Sequence, residues 1–225
     1  RNSGTLGRLI IGLLIKSPNK IRIFGDKSLS KRDFSRVTKP LEKFGVKFYY
    51  KTKNKLPLSI LGTQAAKGIK YLENKGSAQC KSTVMLAALN ASGTTYIKAK
   101  KSRNHSELLF KYLNIPIQIK KTKKYDFINI KQPKKIKAFN YQIPGDISSS
   151  AFFMVLTTLT ENSKLLIKNV NTNPSRIGVI TILKKMGSQI SLKNQRNYKG
   201  EKISDILVKS SKNLKAINCP TKLNS

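Results

Sequence analysis

The sequence has no tryptophan, one histidine (His105), two cysteines, and only 10 Asp plus Glu against 45 Lys plus Arg in 225 residues. Each shortage excludes a class of function. Cys80 and Cys219 make no disulfide framework and stand at no metal-ligand spacing, so a disulfide scaffold and a metal module are excluded and a reducing, cytoplasmic setting is expected. No apolar run approaches the ~20 residues of a membrane-spanning helix; the run over residues 9–15 is among the longest. No signal-peptide pattern is present. The chain opens on Arg1, already inside a motif, and reads as a fragment whose beginning lies elsewhere.

The shortage of acid leaves a formal net charge of +35. Charge of that size suits a polyanion or a strongly anionic small substrate. The lysines are spread along the whole length, without an Arg-Gly or aromatic-basic repeat of the kind that stacks bases. Most of the charge therefore reads as solvated surface. The 39% hydrophobic content suffices for one or two cores.

What the sequence does contain is a repeat. Residues 2–14, 76–90 and 146–159 each pass from small polar residues into an apolar stretch. Ser, Thr or Asp ahead of such a stretch caps a helix whose free amides form an anion site. In the second copy Ser77, Gln79 and Lys81 are expected to face outward together at that helix mouth. Each copy continues with a strand centred on Ile23, Ile97 or Ile167, about 70 residues apart. A loop with one arginine follows (Arg32, Arg103, Arg176), then a second helix over residues 34–44, 106–113 or 177–186, and two more strands. Gly45 and Gly187 stop the second helices of the first and third copies. Further strands are expected over residues 68–72 and 136–141, ahead of the second and third first-helices. The unit is thus βαβαββ, an α/β (α+β) class. The first helix of each copy is expected to be buried and the second amphipathic, with helices inside and sheets outside. Pro144 and Gly145 ahead of Asp146 mark a boundary, giving domains 1–143 and 144–225.

An arginine at one position in three modules suits the planar grip of phosphate or carboxylate. Six segments carry a resemblance: residues 2–5, 25–37, 77–82, 102–107, 144–149 and 173–176. In this order they resemble the EPSP synthase family, the 3-phosphoshikimate 1-carboxyvinyltransferases, over essentially the whole chain. The resemblance implies an inside-out, barrel-like fold of two domains, each of three βαβαββ units, incomplete in this chain. It implies transfer of the enolpyruvyl group of phosphoenolpyruvate to the 5-hydroxyl of shikimate 3-phosphate in aromatic amino acid biosynthesis, with no cofactor and no metal.

By position, Gly4, Arg32 and Gln79 are expected to bind phosphoenolpyruvate. Ser77, Ala78, Gln79 and Arg103 are expected to bind shikimate 3-phosphate. Asp146 reads as an interdomain or capping residue, and His105 as a polar surface residue. Asp33 and Asn104 depart from the family's usual Pro and Asp, and Asp33 sets a carboxylate beside Arg32. The family's opening Lys-Ser-Arg segment is expected upstream of Arg1. Its acidic base, catalytic Lys and late Arg residues are expected beyond Ser225. No catalytic residue is therefore expected within residues 1–225, and no turnover from this polypeptide alone. The resemblance implies a full-length enzyme that is a monomer, with small-molecule substrates, no nucleic acid and no membrane. Two other readings stand beside it. A UDP-N-acetylglucosamine enolpyruvyl transferase needs a reactive Cys in a mobile loop, whereas Cys80 falls in a helix opening. A basic nucleic-acid-binding protein is favoured by the charge alone.

Overall fold

The computed structural model describes residues 3–219. Its chain gathers into two compact units. One runs through Ser102 and adds Leu113–Lys137; the other takes Arg103–Tyr112 and the chain from Ala138 onward.

In the first unit, Ser3 caps α1 (Gly4–Leu13), its hydroxyl accepting from the Leu6 amide at 3.1 Å. The strands β1 (Ile21–Ile23), β2 (Lys47–Tyr50) and β3 (Leu58–Leu61) form an antiparallel sheet in the order β1-β3-β2. A short helix, α2 (Lys27–Ser30), and the longer α3 (Ser35–Glu42) connect β1 to β2. β4 (Lys70–Glu73), β5 (Thr94–Lys100), β6 (Ile117–Lys121) and β7 (Tyr125–Lys131) form a second sheet in the order β4-β5-β7-β6. Its β4–β5 pair is parallel and the others antiparallel. Between β4 and β5 runs α4 (Ala78–Ala88), capped by Ser77, whose hydroxyl accepts from the Cys80 amide at 3.3 Å. α4 packs on α1, on α3 and on its own sheet, so Val84, Met85 and Ala87 are fully buried. A Cβ at Gly12 would lie 2.4 Å from the Thr83 carbonyl oxygen, so α1 and α4 approach to backbone contact, which only glycine allows.

The second unit holds α5 (His105–Tyr112), α6 (Ile147–Leu159), β8 (Lys164–Asn171), α7 (Gly178–Lys185), β9 (Gln189–Tyr198) and β10 (Glu201–Lys209). Its sheet is antiparallel, ordered β8-β10-β9. Ile147, Met154, Val170, Ile180, Leu183, Ile190, Ile206 and Val208 form its core.

The three-fold plan is visible in the pairing. Ile23, Ile97 and Ile167 sit opposite Leu58, Ile128 and Ile206, each on an antiparallel partner from its own copy. Gly45 and Gly187 follow α3 and α7 with φ of 96° and 101°, the left-handed geometry that ends a helix.

Three expectations are corrected. Residues 136–141 form no strand. Phe139 and Tyr141 meet edge-on at 5.9 Å, Tyr112 and Tyr198 pack at either side of them, and the Gln142 amide donates to the Tyr198 hydroxyl at 2.9 Å. Side-chain anchoring thus replaces the ladder, leaving a single parallel bridge between Gly145 and Val170. The last two strands of the third copy, expected over residues 189–192 and 205–208, are longer, the hairpin β9–β10 reaching Tyr198 and Glu201. The first helices are not uniformly buried. α4 is, but Leu6 on α1 is exposed, and α6 leaves Phe152, Phe153, Leu156 and Leu159 on the surface. Among the described residues, α6 has its sheet and no second helix to cover its other face in the way α1 covers α4. No helix among the described residues is long and apolar enough to cross a membrane.

Candidate functional site

In the first unit the mouth of α1 gathers cations. Gly4 and Arg8 are one helical turn apart and share a face. A Cβ on Gly4 would lie 2.7 Å from Arg32 Nη1, so the Arg32 guanidinium lies directly over the Gly4 backbone. Arg8 Nη1 donates to Gln79 Oε1 at 2.8 Å, and Gln79 Nε2 donates to Thr5 Oγ1 at 2.8 Å. The Thr83 hydroxyl, one turn along α4, donates to the carbonyls of both Arg8 and Gln79. Arg8 also lies 5.7 Å from the ring centroid of buried Phe34, a cation–π distance. Its Nε is buried with no acceptor among the described residues. Burial, then the like charges of Arg36 and Arg32, lower the Arg8 pKa. The Arg8 and Arg32 guanidiniums thus stand at the α1 mouth, with the charge of Arg36 felt by Arg8.

Asp33 offsets part of this charge, since its carboxylate acts on Arg8 and is acted on by Arg36, but its hydrogen bonds go elsewhere. Its carboxylate accepts from the Ser35 amide at 2.5 Å at the start of α3, and the hydrogen bonds from Ser35 hold its pKa below the ordinary value. The departure from Pro at this position therefore serves the α3 entry.

In the second unit Asp146 caps α6. It accepts from the amides of Ser148 at 3.2 Å and Ser149 at 3.1 Å, and Arg176 reaches its Oδ1 at 3.2 Å and also donates to the Ser148 hydroxyl. Burial works to raise the Asp146 pKa, but the Ser149 hydroxyl, these two amides and the Arg176 charge outweigh it, and the net shift is down. This helix mouth already holds an anion of its own. Beside it, His105 Nδ1 lies 2.5 Å from Glu201 Oε1, and Asn173 Nδ2 donates to Glu201 Oε2 at 3.1 Å and to Asn104 Oδ1 at 2.9 Å. Burial would raise the Glu201 pKa, yet the His105 hydrogen bond and charge and the Asn173 and Asn171 amides bring it below the ordinary value. These groups border a cavity of about 280 Å³ lined by His105, Tyr141, Asp146, Asn171, Arg176 and Glu201. Among the described residues no cluster of His, Cys, Asp and Glu could hold a metal ion.

Comparison with known proteins decides the family. The family model described as EPSP synthase (3-phosphoshikimate 1-carboxyvinyltransferase) matches residues 1–223. The chain belongs to the EPSP synthase family. A 3-phosphoshikimate 1-carboxyvinyltransferase of Ruthia magnifica is 43% identical over 99% of this chain and 50% of its own length. One of Thermoanaerobacter sp. is 41% identical over 94% of this chain and 49% of its own. An EPSP synthase structure from Acinetobacter baumannii superposes with a TM-score of 0.84 at 38% identity, covering 99% of this chain and 50% of that one. The enolpyruvyl transferase NikO from Streptomyces tendae shares the fold, with a TM-score of 0.63 at 13% identity over 90% of this chain and 46% of that one. The chain spans about half the length of the curated relatives it matches.

Set against the EPSP synthase resemblance, Gly4, Arg32 and Gln79 come together in the first unit, with Ser77 and Ala78 opening the helix that carries Gln79. Arg103 belongs to the second unit, exposed, two residues ahead of α5. Asn2 and Ser225 lie outside the described residues. Two expectations fail. Lys81 is fully buried, because two residues along a helix is a rotation of about 200°, so Gln79 and Lys81 cannot share a face. His105 is no free surface residue but the partner of buried Glu201. Arg8 was missed. Its spacing of four from Gly4 was the available signal, but its partner, Gln79, comes from a distant stretch of sequence. Cys80 is buried within α4.

Proposed function

We propose that this chain carries substrate-binding parts of a 3-phosphoshikimate 1-carboxyvinyltransferase acting in the cytoplasm. The reaction moves the enolpyruvyl group of phosphoenolpyruvate to the 5-hydroxyl of shikimate 3-phosphate and releases phosphate. One observation carries the reading: Arg32 lies over the side-chain-free Gly4, with Arg8 and Gln79 locked beside it. Phosphate needs several donors within a small volume, and a helix mouth with guanidiniums supplies them without a metal. In this reading the Gly4 backbone admits phosphoenolpyruvate, Arg32 grips its phosphate and Gln79 touches both substrates. Ser77, Ala78 and Arg103 serve shikimate 3-phosphate. Arg8 positions Gln79 and keeps the site cationic. Fixed donors of this kind hold the anionic groups that flank a carbon becoming cationic in the transition state.

The test is calorimetric titration of residues 1–225 with phosphoenolpyruvate, with and without shikimate 3-phosphate. Binding is expected for the wild type, with a loss of about tenfold or more for Arg32→Ala, equivalent to ~1.4 kcal/mol. Equal affinity in the two proteins would refute the reading. Carboxyvinyl transfer by residues 1–225 alone is expected to be absent, since they match only about half of each relative; measurable turnover would show that no further groups are needed.

A further inference from the structure

The outer face of the four-stranded sheet in the first unit holds an arrangement that phosphate gripping does not use. β5 and β7 are the two central strands of that sheet. Their alternation sends Ile97, Ala99, Ile128 and Ile130 inward and Tyr96, Lys98, Tyr125 and Phe127 to the other face. Tyr96 and Phe127 remain 47% and 38% exposed. Lys98 stands opposite Phe127, and its Nζ lies 4.8 Å from the Tyr125 centroid and 5.7 Å from that of Phe127. Edge-strand lysines flank the rings: Lys70 of β4 opposite Tyr96, and Lys120 of β6 opposite Phe127. The only carboxylates on these strands, Glu73 and Asp126, are buried. An open hollow of about 670 Å³, lined by Gln118, Lys120, Phe127 and Asn129 among others, runs along the β6–β7 side.

Lysine excess alone would attract any polyanion. Three rings on the centre of a sheet, ringed by cations and free of outward acid, ask for more than charge. Bare bases offer π-faces to such rings, while a duplex keeps its bases stacked inside. Asn129 and Gln118, paired across β7 and β6, add amide donors and acceptors on the same side. We infer that this face binds single-stranded nucleic acid, with Tyr96, Tyr125 and Phe127 stacking bases and Lys70, Lys98 and Lys120 holding phosphates.

The test uses the full chain and a fluorescein-labelled twelve-nucleotide oligouridine, read by anisotropy across a salt series. A twelve-base-pair duplex and phosphatidylserine vesicles serve as competing polyanions. The single strand is expected to bind about tenfold tighter than the duplex and to quench tyrosine emission, which no tryptophan masks here. Tyr96→Ala with Phe127→Ala should lose about tenfold with the salt slope unchanged. Lys98→Gln with Lys120→Gln should flatten that slope by about 1.4. Phosphoenolpyruvate should not compete, which separates this face from the α1 mouth. Duplex or vesicle binding as tight as the single strand, or wild-type affinity in the ring variant, would overturn the inference and leave charge alone as the cause. The substituted side chains are exposed, so unchanged melting temperatures are expected in all variants.

Discussion

At the residue scale, Gly4 is a position where one added carbon would reach a candidate site residue without meeting backbone. The nearest atom to an added Cβ is Arg32 Nη1, at 2.7 Å, the free end of a flexible side chain. Gly4→Ala therefore costs little stability and within a helix gains propensity; a change within ~0.5 kcal/mol is expected from denaturant unfolding. It displaces Arg32 all the same. Phosphoenolpyruvate affinity should fall about tenfold while the unfolding midpoint stays put, and a variant that binds like the wild type would show that Arg32 does not depend on the bare backbone. His105 is the second such residue. It holds Glu201, which is only 5% exposed. His105→Ala leaves that carboxylate to the Asn173 and Asn171 amides, and a loss of about 1–2 kcal/mol is expected, measurable as a lower denaturation midpoint.

At the element scale, two helix contacts set the geometry. α1 and α4 cross at Gly12 against the Thr83 carbonyl, 2.4 Å from an added Cβ. Backbone cannot yield as the Arg32 side chain can, so Gly12→Ala must separate the helices, at a cost of about 1–3 kcal/mol. Because Arg8 and Gln79 meet across the same pair, anion binding should weaken with it, the opposite split from Gly4→Ala. The mouth of α6 is closed by Asp146, which accepts two amides and Arg176. Asp146→Ala removes the cap and leaves Arg176 its Ser148 contact, with an expected loss of about 0.5–2 kcal/mol. The three helix mouths share one plan yet differ in charge: the α1 mouth is cationic, while the α6 mouth carries its own carboxylate.

At the scale of the whole molecule, the scarcity of acid makes each remaining carboxylate count. Asp146, Glu201 and Asp205 all have pKa values held below their ordinary ones in the fold, Asp205 by the Asn169 amide and the Asn194 side chain. Depressed folded values mean that the stabilisation is fully present above the ordinary values, 3.8 for Asp and 4.5 for Glu, and is lost as the pH falls through the folded ones. Thermal unfolding followed from pH 6 to pH 3 should show a falling midpoint below about pH 4.5, with a shallower fall in Glu201→Gln. A flat profile would mean these pairs contribute nothing. The exposed Phe152, Phe153, Leu156 and Leu159 form an apolar stripe, and contiguous exposed apolar surface favours association.

Much of this was legible in the order of residues alone. The Ser and Asp caps, the helix-ending glycines and the spacing of Ile23, Ile97 and Ile167 are local signals, because capping, left-handed φ and strand alternation depend on near neighbours in the chain. Short motifs in family order also marked Gly4, Arg32 and Gln79 as candidate site residues. What only the tertiary structure decided depends on distant pairs. Arg8 gained its meaning from Gln79, 71 residues away, and His105 from Glu201, 96 residues away. The burial of α4 and the exposure of much of α6, the more apolar of the two helices, follow from which elements cover them. The ring cluster of Tyr96, Tyr125 and Phe127 exists because β5 and β7 are neighbours in the sheet but not in the sequence. Composition sets what a chain can bury or charge; pairing across the fold settles which groups face one another.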